Sequence, residues 1–220
     1  MMSSKENAKI SICKTSTKLN KLSLNHGATG NCSIREVAGF LITPSGINNE
    51  HLNEGHIVKV AMDGTPEKNQ SNQLSPSSEW RFHRDIYVHR PDVQAIVHTH
   101  SIHASTLSVL GKPIPPFHYM IAVTGGKQIN CADYAMFGTQ KLSDNIISAL
   151  GIHKACLLSN HGLVAVGKDL QEAFDIAEEV EHLSQMYIQA KIIGEPNLLS
   201  DKEMDEVLGR FKSYGRWEKE

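Results

Sequence analysis

The sequence predicts an α/β sandwich with a mainly antiparallel sheet. Short apolar runs rich in β-branched residues, typical of buried strands, are mixed with longer segments of helical periodicity. Several strand-like runs follow one another as hairpin-like pairs, without the strict alternation of strand and helix that builds a parallel sheet. The pairing of neighbouring strands is therefore expected to be antiparallel in most of the sheet.

Composition limits the class of protein. A chain of 220 residues is long enough for one domain with a sizeable core, and we expect a single domain over residues 1–220. Its formal net charge of -2 gives no electrostatic case for nucleic acid, and no apolar run approaches a membrane span. The four cysteines form no C-x-x-C pair, and the N-terminus lacks the pattern of a signal peptide. A cytoplasmic protein with free, mostly buried thiols is the expectation.

The N-terminal part is expected to hold one helix followed by three strands. The helix covers about residues 5–24 and ends at Asn25-His26-Gly27, where a small-residue turn leads into the first strand. The second and third strands cover residues 39–43 and 57–62. In the turn, glycine lets backbone amides approach a ligand closely, so a phosphate cradle around Gly30 is one interpretation and an ordinary turn is the other.

The segment Ser75-Pro76-Ser77-Ser78 is typical of a helix start, with serine at the N-cap and a helix that runs to about His89. Free N–H groups at a helix N-terminus favour an anion, which makes the two hydroxyls of this segment candidates for binding phosphate. Glu79 follows them and has two interpretations. A carboxylate that only stabilises the helix dipole should be exposed, whereas a metal ligand should turn inward toward His98.

A candidate metal site lies at the end of an apolar strand. The run 95–100 ends in His98-Thr99-His100, and residues two apart in a strand point to the same face. Glu79 upstream and His161, in a turn between two apolar runs, would complete the site. Three histidines and a carboxylate suit a catalytic zinc ion. With 12 histidines in the chain, a chance pair of hydrogen-bonded histidines is the alternative.

The remaining elements follow from periodicity and turn residues. Helices are expected at residues 102–110, 139–150, 170–193 and 200–214, and strands at 129–135, 154–158 and 163–166. Ser200 is the expected N-cap of the last helix. The acidic run Glu178-Glu179-Glu181 of the longest helix is interpreted as a solvated face.

Together these residues resemble the class II aldolase/adducin family from about residue 24 to residue 214. The motifs that carry the resemblance are Gly30-Asn31-x-Ser33, Leu41-Ile42-Thr43-Pro44-Ser45-Gly46, Pro76-Ser77-Ser78-Glu79-Trp80-Arg81-Phe82-His83, Val97-His98-x-His100, Pro115-x-x-His118-Tyr119-Met120-Ile121-Ala122, Tyr134-Ala135-x-Phe137-Gly138-Thr139, His161-Gly162-Leu163 and Phe211-Lys212-x-Tyr214-Gly215. The resemblance implies a three-layer α/β/α sandwich around a central, mainly antiparallel sheet.

The resemblance also implies residue roles. The family's ligands to zinc, one ion per subunit, match Glu79, His98, His100 and His161. Its phosphate-binding residues match Gly30, Asn31, Ser45, Gly46, Ser77 and Ser78. Glu79 and Tyr119 match the catalytic proton-transfer groups, with Tyr119 reaching in from a neighbouring subunit, and Phe137, Phe211 and Tyr214 match residues on the aldehyde side. The similar enzymes are homotetramers with active sites at subunit interfaces, and their substrate is a small phosphorylated sugar.

The implied reaction is reversible, zinc-dependent retro-aldol cleavage of a 1-phosphoketose. The members that this chain resembles most cleave L-fuculose 1-phosphate to dihydroxyacetone phosphate and L-lactaldehyde. One departure is visible: where those aldolases read Gly-Thr-Ala-Gly-Asn, this chain has Gly27-Ala28-Thr29-Gly30-Asn31. The hydroxyl expected at position 28 is displaced to Thr29, which puts that phosphate contact in doubt.

Four alternatives stay open at this point. The substrate could be another deoxypentulose 1-phosphate or methylthioribulose 1-phosphate, and a methylthioribulose-phosphate dehydratase is a further possibility. L-Ribulose-5-phosphate 4-epimerases share the family pattern but typically carry Asp where Glu79 stands. The alternative from a different class is a non-enzymatic, adducin-like interaction module, which could lose the metal ligands. The presence of all four candidate ligands argues against that module.

Overall fold

Seven strands form one sheet in the computed structural model, which describes residues 4–67 and 74–211. The strands are β1 (Asn31–Glu36), β2 (Gly39–Ile42), β3 (Val58–Ala61), β4 (Ala95–Thr99), β5 (Cys131–Ala132), β6 (Ala155–Leu158) and β7 (Gly162–Gly167). Their order in the sheet is β3-β2-β1-β4-β7-β6-β5. Each adjacent pair is antiparallel except β5 and β6, which are parallel. The predicted mainly antiparallel sheet is confirmed.

Helices cover both faces of the sheet. They are α1 (Ser4–Lys21), α2 (Trp80–His89), α3 (Ile102–Ser108), α4 (Gln140–Leu150), α5 (Leu170–Ile193) and α6 (Asp201–Phe211). One apolar cluster joins the sheet to α2 and α4, and a second joins the opposite face to α1, α3, α5 and α6. The result is the three-layer α/β/α sandwich. Among the described helices, none combines the length and the apolar character needed to cross a bilayer.

Strand β4 shows how the sheet positions a candidate metal ligand. Successive side chains of a strand point to opposite faces, so Ala95 and Val97 pack in one apolar cluster while Ile96 packs in the other. His98 continues the face of Ile96 and meets the ring of Phe82 in α2, with ring centroids 5.5 Å apart. An apolar strand therefore carries an imidazole to the end of the sheet on the α2 side.

Two expectations about element boundaries are wrong. The strand expected at 129–135 is reduced to Cys131–Ala132, because the chain leaves the sheet edge there and turns toward the exposed side chains of Tyr134 and Phe137. The N-cap of α2 is Glu79, not a serine, and its side chain makes no capping bond. Ser77 acts two residues earlier, where its hydroxyl accepts a hydrogen bond from the backbone N–H of Glu79.

The four cysteines are free, as expected. Burial raises the pKa of Cys32 to about 12 and raises that of Cys156 further. Burial also raises the pKa of Cys13 and of Cys131 to about 11. A thiol with a raised pKa is a poor nucleophile, so these side chains act as small packing groups.

The acidic run of α5 is not uniformly solvated, and the interpretation is wrong for Glu181. Its carboxylate accepts hydrogen bonds from the backbone N–H groups of His103 at 2.9 Å and Ala104 at 2.8 Å. It also pairs with the His103 ring at 2.7 Å. Because the first N–H groups of a helix have no partner inside it, Glu181 caps α3 from a neighbouring helix.

We expect Glu181→Ala to lower the free energy of unfolding by about 1–2 kcal/mol, since it leaves two helix N–H groups without their acceptor. Glu178→Ala is the matched control, because it removes the same charge from the same helix. Urea unfolding of both variants at equal protein concentration measures the difference. Equal destabilisation by the two substitutions would show that the cap contributes nothing specific.

Candidate metal centre

Four side chains from three parts of the chain meet at one end of the sheet. His98 is the last residue but one of β4, and His100 follows the strand. His161 lies in the turn between β6 and β7, and Glu79 is the N-cap of α2. One ligand atom from each of the four lies within 4.8 Å of the others. The Nε2 atoms of His98 and His100 are 2.9 Å apart. The two carboxylate oxygens of Glu79 lie 3.1 Å from His98 Nε2 and 3.2 Å from His161 Nε2. The inward position of Glu79 fits the metal interpretation and contradicts the exposed one.

The electrostatics of the cluster fit a divalent cation. Burial and the charge of His98 lower the pKa of His100 to about 3 and that of His161 to about 4, so both rings are neutral ligands at physiological pH. Although burial opposes it, the charge of His98 holds the pKa of Glu79 well below its usual range, and Glu79 in turn raises that of His98. The buried Oε1 atom of Glu79 finds no hydrogen-bond partner within the described residues. A bound cation would supply that partner and replace the shared proton.

The ring of His98 is oriented by the sheet itself. Its Nδ1 lies 2.8 Å from the carbonyl oxygen of Leu163 in β7. A carbonyl oxygen only accepts, so Nδ1 carries the proton and Nε2 faces the cluster. Fixing the second ring nitrogen in this way is how proteins commonly aim a histidine at a metal.

Asn25 holds the end of β4 by hydrogen bonds. The sequence indicated only that Asn25 follows the first helix and did not predict this role. Its side-chain oxygen accepts a hydrogen bond from the backbone N–H of His100 at 2.8 Å, and its amide nitrogen lies 3.5 Å from the carbonyl oxygen of His98. Gly30 makes room for this side chain. A Cβ at position 30 would lie 2.2 Å from the Asn25 amide nitrogen, and Gly30 has a φ of +67°.

His161 is presented by a strained turn. Asn160 adopts a left-handed backbone conformation with a φ of 55°, which asparagine tolerates better than most residues. Gly162 follows, and a Cβ there would lie 2.3 Å from the carbonyl oxygen of Thr99. The turn can therefore approach the end of β4 closely enough for His161 to reach the cluster.

The cluster opens into a cavity of about 400 Å³. Glu79, His100 and His161 form part of its wall, and His98 lies buried behind them. The cavity is also lined by the predicted substrate-binding residues Gly30, Asn31, Ser45, Gly46, Ser77, Ser78 and Phe137. Tyr134 and Asn160 line it as well, although sequence reasoning gave them no role. The segment before α2 places Ser77 and Ser78 beside the candidate metal ligands, an arrangement suited to a substrate that carries an anionic group.

Residues 10–188 match the family model described as Class II Aldolase and Adducin N-terminal domain. The chain belongs to this family. Relatives that match nearly the whole length of this chain are named as aldolases. The prediction of an enzyme, a class II aldolase, is therefore confirmed, and the alternative of an interaction module is not supported.

Individual relatives are similar over most of both chains. An L-fuculose phosphate aldolase of Escherichia coli is 47% identical over 205 residues, which are 93% of this chain and 94% of the relative. A 5-methylthioribulose-1-phosphate/5-deoxyribulose-1-phosphate aldolase of Rhodospirillum rubrum is 46% identical over 194 residues, 88% of this chain and 86% of the relative. A solved L-fuculose 1-phosphate aldolase superposes with a TM-score of 0.89 at 39% identity, covering 96% of this chain and 98% of its own.

Two predicted site residues of this class II aldolase, Tyr119 and Phe211, are not among the described residues that line the cavity. Tyr119 begins a 3-10 helix, Tyr119–Thr124, and half of its side chain is exposed. Phe211 ends α6, where it packs partly buried against the apolar cluster of that face. Tyr214 lies outside the described residues. The roles of these three residues stay predictions.

The displaced hydroxyl of the phosphate turn has a local partner. The Oγ1 atom of Thr29 donates a hydrogen bond to the carbonyl oxygen of His26 at 2.8 Å and accepts one from its N–H at 3.0 Å. Ala28 offers no hydroxyl at the cavity wall. The departure from the pattern of similar aldolases therefore removes a side-chain donor, and the exposed backbone of this turn is what remains for a ligand.

Proposed function

We propose that this class II aldolase cleaves L-fuculose 1-phosphate reversibly into dihydroxyacetone phosphate and L-lactaldehyde. The observation that carries the proposal is one cavity in which three histidines and a carboxylate meet the serine-lined start of a helix. The first group suits a cation that contacts the ketose oxygens, and the second suits a phosphate. Similarity to L-fuculose phosphate aldolases over 93% of the chain supports the choice of sugar.

The proposed cofactor is one Zn²⁺ per subunit, held by Glu79, His98, His100 and His161. Nitrogen and carboxylate ligands of this number suit zinc and leave a position for substrate. When bound, the ion would act as a Lewis acid toward the negative charge that develops on the ketose oxygens.

Proton transfer falls to Glu79 and Tyr119. In cleavage, the bond between carbons 3 and 4 breaks, and its electron pair stays on the fragment that becomes dihydroxyacetone phosphate. Glu79 delivers a proton to that carbon, and in the condensation direction it removes the same proton. Tyr119 of a neighbouring subunit, as its phenolate, takes the proton of the hydroxyl on carbon 4 during cleavage and returns it to the aldehyde oxygen during condensation. In the cleavage direction Glu79 takes its proton from water beforehand and Tyr119 releases its proton to water afterwards, so that one turnover consumes no net proton.

The proposal includes a homotetramer with active sites between subunits, located in the cytoplasm. The half-exposed ring of Tyr119, which is not among the residues lining the cavity of its own described chain, supports a role across an interface. Sedimentation equilibrium of the purified protein gives the assembly. A monomer that cleaves the sugar at full rate would rule out a shared site.

The phosphate contact can be tested at Ser78, an exposed residue that lines the cavity. A hydrogen bond to a charged group contributes about 1.5–3 kcal/mol, so Ser78→Ala should raise KM for the phosphorylated sugar roughly 10-fold or more. Ser75→Ala, three residues earlier and not among the lining residues, is the matched control. An unchanged KM in Ser78→Ala would place the phosphate elsewhere in the cavity.

The decisive assay is cleavage of L-fuculose 1-phosphate by zinc-loaded protein, with release of dihydroxyacetone phosphate coupled to a reporter reaction. We expect release that stops on chelation and returns with zinc. No release from this sugar or from other 1-phosphoketoses would contradict the proposal, and epimerisation of L-ribulose 5-phosphate would then be measured.

A second candidate substrate is 5-deoxyribulose 1-phosphate. The relative from Rhodospirillum rubrum, named for this sugar and its methylthio analogue, differs by one percentage point of identity from the Escherichia coli relative. Comparison of kcat/KM for the two sugars in one preparation separates the candidates. A higher value for L-fuculose 1-phosphate is the expected result.

A further inference from the structure

A chain of buried hydrogen bonds runs from the interior to Glu79. The hydroxyl oxygens of Tyr87 and Ser33 are 2.7 Å apart, and Ser33 Oγ is 2.7 Å from His83 Nδ1. His83 Nε2 is 2.5 Å from Asn31 Oδ1, and Asn31 Nδ2 donates to Glu79 Oε2 at 2.9 Å. All five residues are buried. We refer to this series of five residues as the relay to Glu79.

The relay is a product of matched spacings in two elements. Glu79, His83 and Tyr87 are four residues apart at the start of and along α2, which places them on one face with a rise of about 6 Å per step. Asn31 and Ser33 are two residues apart in β1, on one face, with a rise of about 6.6 Å. Because the two steps are nearly equal, helix and strand side chains can interleave without a gap.

The direction of every bond is fixed by the groups at its end. An ionised carboxylate only accepts, so the amide nitrogen of Asn31 faces Glu79 and its oxygen faces His83. That oxygen needs a donor, so His83 carries its proton on Nε2. Burial, together with the charge of His98, lowers the pKa of His83 to about 3, and its neutral ring therefore has an accepting Nδ1. Ser33 donates to Nδ1 and in turn accepts from Tyr87.

The relay makes the two oxygens of Glu79 different. Oε2 accepts the hydrogen bond from Asn31, whereas Oε1 has no such partner among the described residues. We propose that His83 is a positioning residue: it orients the amide of Asn31, whose hydrogen bond to Oε2 holds the Glu79 carboxylate in place for proton transfer. That the step is proton transfer by Glu79 rests on the proposed aldolase function. The relay itself rests on the structure alone.

If His83 served only to fill the core, an apolar side chain would do so more simply. A buried polar network costs desolvation unless every member is satisfied, and apolar side chains of similar size could fill this part of the core. Phe82, the neighbouring residue on α2, is such a side chain and packs in the apolar cluster. In the relay, by contrast, each residue donates a hydrogen bond to the next in one direction, from Tyr87 toward Glu79. The series ends on the Glu79 carboxylate, which lines the cavity.

The first test needs no substrate. Nitrogen-15 NMR of histidine-labelled protein, with and without zinc, reports which ring nitrogen of His83 carries the proton, and loss of the signal in His83→Gln assigns it. A neutral ring protonated on Nε2 is the expected result. A ring protonated on Nδ1 would break the direction of the relay and overturn the proposal.

The second test separates positioning from packing by kinetics. Loss of a partner that orients an active-site ligand typically costs 10–100-fold, so His83→Phe should lower kcat about 30-fold and change KM less than about threefold. His83→Gln offers an amide donor to Asn31 and should recover kcat to within about fivefold of the unmodified enzyme. Equal loss in both variants would overturn the proposal.

A double substitution gives the sharpest readout. If His83 acts through Asn31, then His83→Phe should reduce kcat less than about twofold further in an Asn31→Ala background, because coupled residues are not additive. Independent structural defects would multiply instead and contradict the proposal. Should His83→Phe fail to fold, Tyr87→Phe, which removes only the first hydroxyl, is measured in the same two backgrounds with an expected loss of about threefold. Confirmation by NMR with no cleavage of any ketose would mean that the proposed function fails and the relay stands.

Discussion

Glu79→Gln should abolish cleavage of L-fuculose 1-phosphate, with kcat lowered about 10³-fold or more. General acid–base catalysis alone contributes about 10²–10⁴-fold, and the amide of glutamine neither delivers nor removes the proton. The substitution also removes the negative charge that holds His98 and that would balance a cation. Because glutamine has the same shape as glutamate and can still accept a hydrogen bond from Asn31, the fold should survive.

Glu181→Gln is the matched control for this substitution. It removes the charge of another partly buried carboxylate that accepts backbone hydrogen bonds, but one that lies outside the cavity lining. Its activity should stay within about twofold at a temperature where both variants are folded. Coupled release of dihydroxyacetone phosphate measures both, and metal content is measured on the same samples. A Glu79→Gln enzyme that keeps a tenth or more of the activity would exclude Glu79 as the proton-transfer group.

Removal of the metal should stop cleavage and destabilise the protein. A ligand present at 1,000 times its Kd stabilises the native state by about 4 kcal/mol, so chelation should lower the midpoint of thermal unfolding by about 10 °C. The cause is that the cation binds the assembled cluster of the native state, whereas the unfolded chain offers no such cluster. Scanning calorimetry with and without chelator, followed by zinc addition, measures the effect.

A single ligand substitution should reproduce that loss. His161→Ala should bind less than stoichiometric metal and lose activity about 10²-fold or more, since ligand loss exceeds the 10–100-fold cost of losing a supporting residue. His153→Ala, which removes a histidine outside the cluster and the cavity, is the control. Full activity in His161→Ala, or an unchanged unfolding midpoint after proven metal removal, would contradict the assignment of the cluster as a metal centre.

The residues of the candidate metal cluster could be predicted from the sequence because the patterns that indicate them are local. A strand ending in His98-Thr99-His100 and a helix start that carries Glu79 each indicate where their side chains point. The fold class followed in the same way from short apolar runs in hairpin-like pairs. These patterns depend on the periodicity of single elements, which tertiary packing rarely changes for long and strongly patterned segments.

What the sequence could not predict depends on contacts between distant segments. Asn25 supports His100 across 75 positions, and His83 reaches Asn31 across 52. Nothing in the local pattern around Asn25 or His83 distinguishes them from a helix end and a core residue. Glu181 is the same case, since its acceptor role exists only because α3 begins beside α5. The shortening of β5 reflects its place at the sheet edge, which strand propensity alone does not show.

Strands β1, β4 and β7 are neighbours in the sheet although 64 or more positions separate Asn31 from Ala95 and Ala95 from Leu163. Such pairings close long loops, which slows folding, and the cluster cannot assemble until they are made. A cation that binds only the assembled cluster would bind after these strand pairings have formed. The bound cation would then mainly lower the rate constant of unfolding, which prolongs the lifetime of the native state. The rate constant of folding would stay nearly unchanged.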